Sequence, residues 1–262
     1  MYAFITGASS GIGKEFAILL AKMGYDLILV ARREERLMQL QKKLESHYPI
    51  QVIVKAADIS KEENCKQLIQ EISSLPIEIL INNAGFGSVG YLSEQELEHN
   101  LDMIKTNIIA PHIFTSWFCS HRKSGYVLNV SSIAAFTTPP LFATYGATKS
   151  YVYAFSTAVN YEMKKQHKDI SITTLCPGSV KTEFYRDGGK QANVCVLSAK
   201  QCAAIALDGL FRKEALVIPT ASMKVSYLLY KFLPHRLMLP IQYQLQKYKQ
   251  HETAKTLFDF RR

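Results

Sequence analysis

Short apolar segments alternate with longer amphipathic ones along most of this chain. Most of the short segments are apolar at successive positions, as the strands of a parallel sheet covered on both faces must be. The predicted strands are Tyr2–Thr6, Asp26–Ala31, Gln51–Lys55, Glu78–Asn82, Tyr126–Val130, Ile170–Cys176 and Ala215–Ile218. The predicted helices are Gly11–Met23, Glu34–His47, Lys61–Ser74, Glu94–Cys119, Ala143–Lys168 and Ser198–Phe211. This alternation predicts an α/β fold with a doubly wound parallel sheet.

The composition fits one globular domain. The chain has 262 residues, of which 48% are hydrophobic and 20% charged, which excludes a wholly disordered, collagen-like or coiled-coil protein. Five cysteines show neither a CxxC pair nor metal-ligand spacing, so we expect reduced thiols and no metal site. No signal-peptide pattern and no apolar run of about 18 residues is present, so we expect a cytoplasmic protein.

The last part of the chain carries most of the positive charge. Residues 221–262 contain eight basic and two acidic residues, or +6 of the net +9. Proline disrupts helices, so Pro234 and Pro240 predict a division of this extension into short helices. We expect the extension to pack beside the substrate pocket or on a second subunit, and a membrane-surface helix is the less favoured alternative. The apolar residues expected to be covered are Leu228, Leu229, Phe232, Leu233, Leu237 and Leu239. Nucleic-acid binding does not fit, because the basic residues are confined to this one segment.

A glycine-rich loop, Thr6–Gly13, joins the first strand to the first helix with the spacing G-x-x-x-G-x-G. Glycines let the backbone approach a pyrophosphate, and the helix N-terminus favours its negative charge. The same residues also match G-x-S-x-G, which would make Ser9 a hydrolase nucleophile. That motif normally follows several earlier strands, whereas this loop follows the first predicted strand.

The end of the second strand bears on the choice of cofactor. In dinucleotide-binding folds an acidic residue there binds the ribose of NAD, and an arginine accommodates the 2′-phosphate of NADP. This chain has Ala31, Arg32 and Arg33 at that place. The pattern favours NADP(H), the alternative being that both arginines are ordinary surface charges.

Tyr145 and Lys149 are four residues apart in a predicted helix and therefore share one face. An ammonium group beside a phenol lowers the phenol's pKa, which makes the tyrosine a usable proton donor and acceptor. Ser132 precedes Tyr145 by thirteen residues and follows a strand. Asn82–Gly85 ends another strand, and Asn107 lies in the helix after it. We expect these elements to meet at the carboxyl edge of the sheet, near the glycine loop.

Five motifs occur in an order that resembles the short-chain dehydrogenase/reductase family. They are Thr6–Gly13 (T-G-x-x-x-G-x-G), Asn82–Gly85 (N-N-A-G), Ser132, Tyr145 with Lys149 (Y-x-x-x-K), and Pro177–Thr182, which is similar to P-G-x-V-x-T. The resemblance covers residues 1–182 and implies an NAD(P)-dependent oxidoreductase on a Rossmann-like sheet of about seven strands. Residues 183–220 would then hold the substrate loop with the last helix and strand, and 221–262 a helical C-terminal extension of the single domain 1–262.

The resemblance also implies roles for single residues. Tyr145 would be the acid/base, Ser132 would bind the reacting oxygen and Lys149 the nicotinamide ribose, while Asn107 would hold a water in a proton relay. The implied cofactor-binding residues are Gly7, Ser9, Ser10, Gly11, Ile12, Gly13, Arg32, Arg33, Asp58, Ile59, Asn83, Ala84, Gly85, Tyr145, Lys149, Pro177, Gly178, Val180 and Thr182. Arg32 would have the main part in binding the phosphate, helped by Ser9 and Arg33.

The leading hypothesis is therefore an NADP(H)-dependent enzyme that interconverts a carbonyl and an alcohol, with a small, mostly apolar substrate and a homo-oligomeric state, dimer or tetramer. Two alternatives stay open. One is a serine hydrolase using Ser9, and the other is a sensor that binds the dinucleotide without turnover.

Overall fold

The computed structural model describes residues 1–185 and 197–259, with side chains up to Tyr248 except those of Tyr185 and His235. Its strands are β1 (Tyr2–Thr6), β2 (Asp26–Ala31), β3 (Val52–Ala56), β4 (Ile77–Asn82), β5 (Ser124–Val130), β6 (Asp169–Leu175), β7 (Val180–Lys181), β8 (Leu197–Ser198) and β9 (Leu216–Val217). Seven of them form one sheet in the order β3-β2-β1-β4-β5-β6-β9, and β7 pairs with β8. All pairings in the large sheet are parallel. The Rossmann-like fold class is confirmed.

Helices cover both faces of this sheet. They are α1 (Gly11–Lys22), α2 (Glu34–His47), α3 (Glu62–Ile72), α4 (Leu97–Ile104), α5 (Ala110–His121), α6 (Ala134–Thr137), α7 (Ala143–Lys165), α8 (Ala199–Phe211), α9 (Ala221–Phe232) and α10 (His235–Asp259). Strand β2 shows why both faces are apolar. Leu27 and Leu29 face the core beneath α1, α2 and α8, whereas Ile28 and Val30 face the core beneath α3 and α5. Successive strand residues point to opposite faces, so the strand must be apolar at every position.

The strand order reverses between β1 and β4, which are hydrogen-bonded neighbours. In open α/β sheets ligands bind at such a switch point, beyond the carboxyl ends of the strands. The glycine loop follows β1 and Asn82–Gly85 ends at this same edge after β4. The topology therefore brings the two motifs together.

The predicted helix Glu94–Cys119 is interrupted in the structure. A π-helical turn, Lys105–Ile109, separates α4 from α5, and Asn107 lies within it. Pro111 has no N–H to donate to the Asn107 carbonyl four residues earlier, so α-helical bonding cannot continue through this point. Such π turns are frequent at functional sites.

The C-terminal extension differs from its prediction in two respects. A helix ends before Pro234 as expected, but the break at Pro240 is wrong, because α10 continues through it. Pro240 is exposed and early in α10, where water can hydrate the carbonyl that its missing N–H leaves unpaired. In the described part of the chain no helix is both long and apolar enough to span a membrane.

The extension packs beside the pocket, but through other residues than those predicted. Met223 joins a buried cluster with Cys176 and Ile218, and the Tyr227 ring lies 4.6 Å from that of Phe136. The six apolar residues expected to be covered are instead between 37% and 77% exposed. The extension therefore docks with one face and leaves an apolar face uncovered by the described residues.

Candidate active site

A cavity of about 630 Å³ lies at the carboxyl edge of the sheet. It runs from the glycine loop past β5 and α7 to α9 and α10. All the predicted catalytic and cofactor-binding residues line it except Gly13 and Asn107. Both exceptions lie directly behind its wall, where they hold other site residues in place.

The glycine loop depends on residues without side chains. Gly7 and Gly11 have φ of +67° and +56°, a region that favours glycine. A Cβ on Gly13 would lie 2.3 Å from the Gly7 carbonyl oxygen. Gly13 thus serves close packing inside the loop, while Gly11 and Ile12, which begin α1, face the cavity with the helix N-terminus.

The loop is fastened to the end of β4 by side-chain hydrogen bonds. The Asn83 amide donates to the carbonyls of Thr6 (3.0 Å) and Gly7 (3.3 Å). The Thr6 hydroxyl accepts from the main-chain N–H groups of Asn83 and Ala84 at 3.0 and 3.1 Å. The two motifs therefore form one rigid wall of the cavity.

Arg33 contacts the glycine loop, whereas the main part in phosphate binding that the sequence predicts for Arg32 stays a prediction. The Arg33 guanidinium donates to the hydroxyls of Ser9 (3.1 Å) and Ser10 (2.8 Å), and to Glu183 at 2.9 Å. Arg32 also lines the cavity. Of the two arginines, Arg33 is the one whose guanidinium hydrogen-bonds to the loop serines.

The Tyr145 ring is held between two aromatic rings. It is stacked on Phe142 at 4.2 Å between centroids and meets Phe184 edge to face at 5.5 Å. A Cβ on Gly87 would come within 2.7 Å of the Tyr145 ring. These three contacts fix the plane of the phenol ring. Tyr145 is 7% exposed.

Lys149 is a buried cation beside this ring. It is 4% exposed, its Nζ lies 5.6 Å from the Tyr145 ring centroid, and it donates to the Val130 carbonyl at 2.9 Å. Burial lowers the pKa of Lys149 to about 8. The protein therefore holds a positive charge next to the phenol at the expense of its own stability.

Lys149→Met should stabilise the free protein at pH 7 by about 2 kcal/mol. Removing the cost of a buried cation outweighs the loss of one hydrogen bond. Below pH 8 both folded and unfolded chains hold the proton, so the full cost is present. Between pH 8 and about 10.5 only the unfolded chain keeps it, so the parent gains stability as the pH rises and the difference between the proteins shrinks.

Urea unfolding of both proteins from pH 6 to 10 measures this difference. Lys165→Met, at an exposed position of the same helix, is the control and should change stability by less than about 0.5 kcal/mol. A Lys149→Met protein that is less stable than the parent at pH 7 would contradict the prediction.

Ser132 and Asn107 complete the group around Tyr145. The Ser132 hydroxyl lines the cavity and accepts from the Ala134 N–H at 3.1 Å. The Asn107 amide donates to the Phe86 carbonyl (2.9 Å) and to the Thr148 hydroxyl (3.1 Å), which itself donates to the Tyr145 carbonyl. Asn107 thereby ties the loop after β4 to the helix that carries the tyrosine.

Sequence reasoning missed several residues of this site. Glu183 pairs with both Arg33 and Arg36, at 2.9 and 2.8 Å, which links the second helix to the segment after β7. Tyr230, Gln242 and Leu245 line the far wall from the extension. Their spacing carries no recognisable motif, so the sequence offered no signal for them. The other residues proposed for the substrate loop, 186–196, lie outside the described residues.

The geometry does not support Ser9 as a hydrolase nucleophile. The Ser9 hydroxyl accepts from Arg33, a cation that cannot take its proton. Among the described residues that line the cavity there is no histidine. A serine needs an adjacent general base to become nucleophilic, so this interpretation is wrong.

The same geometry fits a dinucleotide. Gly7 and Gly11 line the cavity without side chains of their own, and the α1 N-terminus borders it, an arrangement that suits a pyrophosphate. Arg32 and Arg33 lie beside it, and Asp58 and Ile59 line the same end. Lys149 lies at the other end, next to Tyr145.

Comparison with known proteins agrees with this architecture. A family model described as short chain dehydrogenase matches residues 1–193. The chain belongs to the short-chain dehydrogenase family. The chain is 31% identical over 230 residues to a very-long-chain 3-oxoacyl-CoA reductase of Candida albicans, covering 81% of this chain and 64% of that protein. It is 34% identical over 188 residues to 17-beta-hydroxysteroid dehydrogenase type 3 of Mus musculus, covering 69% and 60%.

Among solved structures, the chain resembles a short-chain dehydrogenase from Sphingobium yanoikuyae in complex with NADPH. The TM-score is 0.80 and the identity 29%, with 87% of this chain and 91% of that chain covered. The chain spans 53% to 64% of the length of the yeast reductases it matches.

Proposed function

We propose that this dehydrogenase uses NADPH to reduce an apolar carbonyl compound, with Tyr145 as the proton donor. The observation that carries the proposal is the buried Lys149 ammonium 5.6 Å from the Tyr145 ring, in the cavity that the glycine loop borders. Preorganised charged groups that stabilise the charge developing in the transition state are a main source of catalysis.

NADPH, when bound, supplies the hydride. Tyr145 gives the proton of its hydroxyl to the substrate oxygen, and the phenolate that forms is stabilised by Lys149. The Ser132 hydroxyl donates a hydrogen bond to the same oxygen. Phe142 and Phe184 exclude water from the phenol and hold its plane.

Asn107 takes part through its main chain. Its side chain is engaged with Phe86 and Thr148, and its carbonyl lacks the α-helical donor that Pro111 cannot supply. This carbonyl would hold the water that returns a proton toward Lys149. A Cβ on Gly85 would come within 2.9 Å of the Asn107 Oδ1 and 3.2 Å of the Lys149 Nζ, so the two residues are close neighbours.

The preference for NADPH rests on the arginines at the end of β2. Arg33 donates to both loop serines, and Arg32 lines the same end of the cavity. A phosphate placed there meets a guanidinium and two hydroxyls. The NADPH complex of the Sphingobium dehydrogenase supports the same choice.

The substrate class follows from the other end of the cavity. Phe142, Phe184, Ile133 and Leu245 give it apolar walls, while Tyr230 adds a hydroxyl. The matched relatives are named for a very-long-chain 3-oxoacyl-CoA and for a hydroxysteroid, which are both lipophilic. We therefore propose a lipophilic ketone.

A panel of carbonyl compounds tests the proposal. The panel should include steroid ketones, long-chain 3-oxoacyl thioesters and small polar ketones, each assayed with NADPH and NADH. We expect turnover with NADPH and a kcat/KM that rises with substrate lipophilicity. Turnover only of small polar ketones, or only with NADH, would contradict the proposal. The homo-oligomer and the cytoplasmic location stay predictions of the sequence.

A further inference from the structure

Helix α9 turns an apolar stripe outward. Val225, Leu228, Leu229 and Phe232 recur at the spacing of one helix face and are 57%, 51%, 52% and 77% exposed. The opposite face carries Met223 and Tyr227, which pack on the domain. The helix therefore has two apolar faces, one buried against the domain and the other exposed.

Helix α10 repeats this arrangement. Leu237, Ile241, Leu245 and Tyr248 lie four, four and three residues apart and are 50% to 64% exposed. Its inner face carries the buried Gln242, which hydrogen-bonds to Tyr230 of α9. The two helices are thus joined through their inner faces, and both stripes lie on the outside.

Basic residues accompany the two stripes. Lys224, Lys231, Arg236 and Lys247 are exposed, and residues 221–248 contain no acidic residue. Large exposed apolar patches mark interaction sites, and a partner for this one must complement positive charge.

We propose that the outer face of α9 and α10 docks on an anionic membrane surface. The eight stripe residues would insert among the acyl chains, and the lysines and arginine would lie at the level of the lipid phosphates.

A second copy of the chain fits this surface less well than a membrane does. A twofold interface would place this face against itself and bring eight described cationic side chains together without an acidic residue of this surface between them. Leu245 belongs to both the stripe and the cavity wall, so docking would place the cavity beside the lipid.

Flotation of the full-length protein with vesicles tests the proposal. One set of vesicles is phosphatidylcholine alone, and the other contains about a quarter phosphatidylglycerol. We expect binding to the anionic vesicles at least tenfold stronger than to the neutral ones, and weakened by 0.5 M salt because charge attraction is screened. Equal binding to both vesicle types, or none to either, would overturn the proposal.

The double variant Leu229→Glu with Phe232→Glu tests the surface itself. Both positions are exposed, so the fold should persist, which cofactor titration checks. We expect this variant to lose at least tenfold in vesicle binding. The matched control, Met38→Glu with Leu97→Glu, makes the same charge change at positions 55% and 70% exposed on α2 and α4. Its binding to anionic vesicles should fall only as much as the lower net charge requires. Equal losses in both variants would overturn the assignment. So would a dimer in sedimentation velocity that the Leu229/Phe232 variant dissociates, since the face would then be a subunit contact.

Discussion

Replacing Tyr145 by phenylalanine should lower the rate of carbonyl reduction by about two to four orders of magnitude, the usual contribution of a general acid. The substitution removes the hydroxyl and keeps the ring, so the stacking on Phe142 and the edge contact with Phe184 persist. We therefore expect the affinity for NADPH to stay within about threefold of the parent, since the cofactor contacts proposed for Lys149 and the glycine loop are unchanged.

The experiment compares single-turnover rates on a substrate found in the carbonyl panel. Tyr151→Phe is the matched control, because it removes a tyrosine hydroxyl from the same helix. That hydroxyl is hydrogen-bonded to His112 at 2.8 Å and is not among the groups that line the cavity. The control should keep the parental rate within about twofold. A Tyr145→Phe protein with the parental rate would show that another group donates the proton.

Arg33→Ala should weaken NADPH binding by about tenfold to a hundredfold and leave NADH binding within about twofold. A charge-assisted hydrogen bond to a phosphate contributes roughly 1.5 to 3 kcal/mol, and only NADPH has the 2′-phosphate. The guanidinium already lies against the hydroxyls of Ser9 and Ser10, so binding would require little rearrangement of the loop.

Arg36→Ala is the matched control for this prediction. Arg36 shares Glu183 with Arg33 but does not line the cavity, so its loss removes an ion pair without removing a phosphate contact. We expect at most a threefold effect on either cofactor. Fluorescence titration of the parent and both variants with NADPH and NADH measures the six affinities. Equal losses for NADPH and NADH in Arg33→Ala would contradict the phosphate contact.

Arg32→Ala tests which arginine selects the cofactor: Arg33, which contacts the loop in the structure, or Arg32, which the sequence predicts. If Arg32→Ala alone removes the discrimination between the cofactors, the preference for NADPH stands but its assignment to Arg33 is wrong. If Arg33→Ala has the larger effect, the side chain that contacts the loop in the free protein is also the one that selects the cofactor.

The chain of strands and helices, the position of the glycine loop and the order of the motifs were all predictable from the sequence. These features are local. Apolar periodicity reports which residues share a face, and glycine spacing reports where a Cβ or an ordinary φ is impossible. The interruption at Asn107 also had a local signal, in Pro111, which the helical pattern around it concealed.

Three features were decided only by the tertiary structure. After the turn at the end of β2, Arg33 and not Arg32 contacts the glycine loop. The packing of α7 on β5 buries Lys149 and lowers its pKa. In α9 and α10 the predicted apolar residues turn outward while other residues of the same helices make the contacts. A helix with apolar residues on two faces has two ways to pack, and periodicity cannot choose between them. The choice depends on which surface of the domain lies opposite, and that surface is assembled from segments far apart in the sequence.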